Sequence, residues 1–68
     1  MSTVDIIELI GESKVGFEDA VKQAVDEAKK TVRDITGVHV EGFSAVVKND
    51  QIVAFRANVI IAFVYHSK

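Results

Sequence analysis

The sequence contains no cysteine, no proline and no tryptophan among its 68 residues. Without cysteine there is neither a disulfide nor a thiolate metal staple to offset the small size of the chain. Charge of one sign is also lacking. Eight lysines and arginines stand against ten aspartates and glutamates, for a formal net charge of −2. No basic field is available to hold a phosphate backbone, which excludes nucleic acid as a partner. No apolar run approaches the ~20 residues of a membrane-spanning helix. The segment Met1 to Ile10 carries Asp5 and Glu8 and has no basic region, so no secretory signal is expected. Apolar residues, in contrast, are plentiful, at 49% of the chain, with a mean hydropathy of +0.23. A chain this short buries too little surface to be robust alone, and self-association is the ordinary remedy. The expectation is one domain over residues 1–68, soluble, cytoplasmic and oligomeric.

With no proline, turn chemistry falls to Gly11, Gly16, Gly37, Gly42 and the pair Asn49-Asp50. These divide the chain into four pieces. Val4 to Ile10 is short and β-branched and reads as a strand ended by Gly11. From Phe17 to Ile35, apolar residues recur at three- and four-residue steps, one face of a helix over Phe17 to Thr36. Ala20, Ala24 and Ala28 on that face allow close approach to a sheet. Gly16 serves as the N-cap, Gly37 as the left-handed residue that ends the helix, and Glu18–Lys22 and Asp26–Lys30 as i,i+4 pairs. Val38 to Val47 and Ile52 to His66 read as strands joined by a two-residue turn at Asn49-Asp50.

Centring the hairpin on that turn places Val47 opposite Ile52, Phe43 opposite Arg56 and Glu41 opposite Asn58. Alternation then gives two faces. Val38, Val40, Val59, Ile61 and Phe63 lie on the face that takes the helix. His39, Glu41, Phe43, Arg56, Asn58, Ile60 and Ala62 lie on the other. One helix covers only one side of the sheet, yet the second side is also largely apolar, which marks it as an interface or a ligand surface.

No phosphate-binding glycine loop, nucleophile elbow or zinc spacing is present. His39 reads as an interface histidine and His66 as a terminal one. Opposite Phe43, the Arg56 guanidinium can stack on a ring or bind an anionic group, with Glu41 as an alternative partner. The ten carboxylates show no calcium-loop spacing, although symmetry in an oligomer can gather one from each copy. No metal-ligating residue is assigned.

The order strand, long helix, strand, strand in under seventy residues resembles the dodecin family. The resemblance rests on IIELIGES at Ile6 to Ser13, GFEDAVKQAV at Gly16 to Val25, AKKTVRDI at Ala28 to Ile35 and QIVAFRANVIIAF at Gln51 to Phe63. It implies an α+β fold, β-α-β-β, with a three-stranded antiparallel sheet in the order 1-3-2 partly wrapped around the helix. It also implies a hollow homododecamer that stores flavin (riboflavin or FMN) without catalysing a reaction. The family's flavin-stacking tryptophan falls on Gly37, its ring-edge polar residue on Arg56, and the acidic residue after the second-strand valines on Gly42. A stacked aromatic contributes about 1–3 kcal/mol per ring, so glycine at that position lowers the expected flavin affinity by one to two orders of magnitude. The expected ligand-contacting residues are Gly37, Arg56, Phe43 and Glu41. The expected function is a non-enzymatic shell for a small ligand, with a structural or calcium-binding shell, its sites on symmetry axes, as the alternative.

Overall fold

The computed structural model describes residues 3–65. Three strands and one helix follow in the order β1 (Thr3–Ser13), α1 (Phe17–Ala28), β2 (Ile35–Lys48) and β3 (Gln51–Tyr65). The sheet is antiparallel throughout with β3 in the centre, in the order β1-β3-β2. Both the fold class and this strand order agree with the expectation from sequence. His66 lies outside the described residues.

The helix is shorter than expected. It ends at Ala28 and not at Thr36, so twelve residues span about 18 Å. Beyond Ala28 the β-branched pair Thr31 and Val32 disfavours continuation. Thr31 Oγ1 donates to the Ala28 carbonyl at 3.3 Å, and the amides of Thr31 and Val32 donate to that same oxygen at 3.0 Å each. Three donors on one C-terminal carbonyl close the last turn. The reversal into β2 is made by Asp34 in the left-handed region (φ 58°), while Gly37 sits inside β2 and no glycine has positive φ. The proposed i,i+4 pairs are replaced by i,i+3 pairs, Lys29–Asp26 at 3.4 Å and Lys30–Glu27 at 3.1 Å.

At the other end, Gly16 is the N-cap in extended backbone and supplies no side chain. No side chain caps the helix amides, and Ser13 instead braces the turn that leads into it. Its hydroxyl donates to Asp19 Oδ2 at 2.6 Å and accepts from the Val15 amide at 2.9 Å. The end of β1 is thereby tied to the first turn of α1. The hydrogen bond from Ser13, then that from Gln23, holds the Asp19 carboxyl below its ordinary value.

Ala20, Ala24 and Ala28 are buried against Ala57, Val59 and Ile61 of β3, with Ile7, Leu9 and Val40 packed around them. Gly11 does not end β1. It lies within the strand where the helix crosses, and a Cβ there would stand 1.9 Å from the Ala20 carbonyl oxygen. The alanine stripe and Gly11 let the two backbones touch. The helix lies over β1 and β3 and scarcely reaches β2, which leaves Val38 41% exposed although it faces the helix side.

Asn49 (φ 53°) and Asp50 (φ 62°) form the expected two-residue turn, and Val47 pairs with Ile52. Three register shifts then alter the hairpin. Val53 is an extra residue in β3, and Glu41 and Thr36 are extra residues in β2. Between Val53 and Glu41 every pair is one residue off a plain hairpin, and the Glu41 bulge restores the register. Arg56 therefore faces Ser44 and not Phe43, and Asn58 faces Gly42 and not Glu41. A one-residue slip moves a side chain to the other face of the sheet. Phe43, expected beside Arg56, is instead opposite buried Ala57 on the helix side, its ring 5.0 Å from that of Phe17.

Candidate functional site

The face of the sheet turned away from α1 is built in rows, because directly paired residues share a side. On β1 it presents Val4, Ile6, Glu8, Ile10 and Glu12. Their β3 partners are Val64, Ala62, Ile60, Asn58 and Arg56. On β2, Gly37 lies beside Ala62, His39 beside Ile60, Gly42 beside Asn58 and Ser44 beside Arg56. Val4, Ile6 and Ile10 are 57–65% exposed, an amount of uncovered aliphatic surface on one side of a small sheet that marks a binding or assembly face.

Its polar residues are concentrated at one end. Arg56 Nε donates to Glu12 Oε1 at 2.8 Å, with both side chains about half exposed. Glu41, the alternative partner that the sequence offered for Arg56, pairs instead with His39 (Nε2 to Oε2, 3.3 Å). The bulge at Glu41 and the i,i+2 spacing bring those two side chains together. One row from Arg56, Asn58 borders two open clefts. One is about 230 Å³, lined by Glu8, Leu9, Ile10 and Asn58. The other is about 400 Å³, lined by Glu41, Gly42, Phe43, Ser44 and Asn58. Nothing lies within 4 Å of a Cβ built on Gly42 or Gly37, so both glycines leave the sheet open to a flat molecule.

Of the four expected contact residues, Gly37 and Arg56 share this face, Glu41 lies beside it with His39, and Phe43 leaves it. Gly37 and Arg56 are also far apart. The partner of Gly37 is Ala62, six residues from Arg56 along β3, or about 20 Å at a strand's rise. A single copy does not bring them onto one small ligand. Three phenylalanine rings are on the opposite side, where Phe17 packs edge-on against Phe43 and Phe55. What remains for stacking on the outer face is the guanidinium plane of Arg56 and, two rows away, the imidazole of His39.

Glu12 was missed as a site residue because Gly11 was taken as the end of β1. The alternation Ile6, Glu8, Ile10, Glu12 was the available signal. Among the described residues, no group of three or more His, Asp or Glu side chains is gathered for a metal ion.

Comparison with known proteins adds the family. A family model described as Dodecin matches residues 3–66. The tt0972 protein of Thermus thermophilus superposes with a TM-score of 0.92 at 20% identity over 100% of both chains. The dodecin of Streptomyces coelicolor gives 0.93 at 22% identity, covering 98% of this chain and 96% of that one. A protein of Mycobacterium tuberculosis described as a calcium-chelating antigen, calcium dodecin, gives 0.82 at 27% identity over 91% and 89% of the two chains. No curated protein matches by sequence.

Proposed function

The chain belongs to the dodecin family, and on that premise we propose that it forms a homododecameric shell that binds and stores a small planar ligand without catalysis. Flavin, as riboflavin or FMN, is the ligand class. The observation that carries the reading is the outer sheet face, where exposed Val4, Ile6 and Ile10 adjoin an arginine and two open clefts. Aliphatic residues supply the surface that copies cover. Arg56 and Asn58 supply the polar contacts, and Gly37 the gap into which a ring fits. Because Gly37 and Arg56 are about 20 Å apart in one copy, the pocket takes its walls from neighbouring copies. Burial between copies also compensates for clefts too shallow to enclose a ligand alone. No tryptophan is present to stack on the ligand, so affinity rests on Arg56 and on enclosure.

Native mass spectrometry and fluorescence quenching test the two halves separately. Twelve copies and quenching of riboflavin or FMN emission are expected. Arg56→Ala should weaken that binding about tenfold, the size of a desolvated guanidinium–ring contact. A stable monomer would remove the whole proposal, whereas a dodecamer that leaves flavin emission unchanged would remove only the ligand.

A calcium-binding shell is the second reading, favoured by the similarity to the calcium-chelating dodecin of Mycobacterium tuberculosis. No group of ligating side chains is gathered within the described residues of one copy, so such a site would draw carboxylates from several copies. Calorimetric titration of the assembled protein with calcium, with no heat above dilution, would exclude it.

A further inference from the structure

The charge on the outer sheet face is one-sided. Its rows carry Glu8 and Glu12 from β1 and Arg56 from β3, with Glu41 and His39 beside them on β2. Three carboxylates stand against one guanidinium and one imidazole; Glu12 engages the guanidinium at 2.8 Å and Glu41 the imidazole at 3.3 Å. Lys14 and Lys48 lie beyond the ends of these rows. Arg56 therefore offers a planar stacking surface whose charge is cancelled locally, on a background of Glu8 and the Glu41–His39 pair. Assembly would multiply this arrangement by the number of copies meeting at a pocket. From this we propose that the site selects an uncharged or cationic planar ring over the same ring bearing a phosphate, and that Glu12 is the residue setting the preference. The inference rests on the ligand-binding reading of the face.

The chemistry allows Glu12 to be tested without disturbing its geometry. In Glu12→Gln the side-chain amide keeps an oxygen that accepts from Arg56 Nε, so the guanidinium stays in place while the negative charge is lost. One unit charge about 8 Å from a phosphate changes affinity by about two- to fivefold at low ionic strength, and less as salt screens it. The assembled protein and its Glu12→Gln variant are titrated with riboflavin and FMN by fluorescence quenching, at low and high salt. Two planar dyes, cationic proflavin and anionic anilinonaphthalene sulfonate, are titrated in parallel. The wild-type protein should bind riboflavin more tightly than FMN and proflavin more tightly than the sulfonate. Added salt should shrink both preferences, and Glu12→Gln should shrink them about two- to fivefold at low salt. Equal or tighter binding of FMN, or a ratio unmoved in the variant, overturns the selectivity. If neither flavin binds but the dyes discriminate through Glu12, the flavin reading fails and the charge selection stands. If no probe binds at all, the selection falls too.

Discussion

Two residues near the end of β1 carry more structural consequence than their size indicates. Gly11 is the point at which α1 rests on the sheet, with the space for a Cβ already filled by the Ala20 carbonyl oxygen and the Ala24 Cβ. Gly11→Ala forces the helix off the strand, and overpacking of this kind against a backbone atom costs about 3 kcal/mol. Its denaturation midpoint should fall accordingly. Ser13 joins β1 to α1 through Asp19. Because the Asp19 pKa is lowered in the folded chain, its contribution is complete above the ordinary carboxylate range and is lost as pH falls through the lowered value. Ser13→Ala removes the largest cause of that shift. An NMR titration should then find the Asp19 pKa moved up toward its usual value, and acid unfolding should begin at higher pH than in the wild type. At the same scale, the Phe43–Arg56 contact expected from sequence fails because each side chain is on its own side of the sheet.

The elements themselves were legible wherever the physics is local. Asn49-Asp50 was read as a tight turn because both residues tolerate positive φ, and both adopt it. The chain gains further if the second turn position carries no Cβ. Asp50→Gly should stabilise the hairpin by about 0.5–1 kcal/mol, and Asp50→Val should cost about 1–2 kcal/mol. Thermal unfolding of the pair checks both signs. Ala20, Ala24 and Ala28 were legible as the contact stripe of the helix, because their spacing is one turn and their side chains are small. The length of that helix was not. Val32 and Ile35 continue the helical period but pack on the core from the connection and from the start of β2. The bulges at Val53 and Glu41 leave no mark in the alternation pattern, since a strand with an extra residue reads as a strand. Phe43 and Arg56 lie between those two bulges, which is why the candidate site was the part most distorted by a plain two-residue period. Glu12 was hidden for a different reason, a glycine that reads as punctuation but serves as a contact.

For the whole molecule, the shape of one copy argues for association. Its longest dimension is 51 Å against 19 and 14 Å, with a radius of gyration of 13.9 Å, where a compact chain of this length has about 11 Å. Its accessible surface is 5178 Å², against roughly 4,200 Å² for a compact monomer of this mass. Apart from Val15 and Val38, the exposed aliphatic residues fall in two places, Val4, Ile6 and Ile10 on the outer face and Val47, Ile52 and Val53 toward the hairpin turn. Two separate patches can serve two kinds of contact, and a closed shell of cubic type requires more than one kind. Ile6→Glu and Ile10→Glu place a charge on residues that are open in the single copy and that the proposed assembly would cover. Sedimentation should show each of them as smaller particles with the subunit's circular dichroism retained. The strand order carries a further consequence, for synthesis. The middle strand of the sheet is β3, the last to be translated, and both other strands hydrogen-bond to it alone. Until the ribosome has passed residue 65, neither earlier strand has its neighbour and both offer bare edges to other nascent chains. A message broken before the last fifteen codons of that sheet should therefore yield aggregates cleared by proteases, never a smaller working subunit.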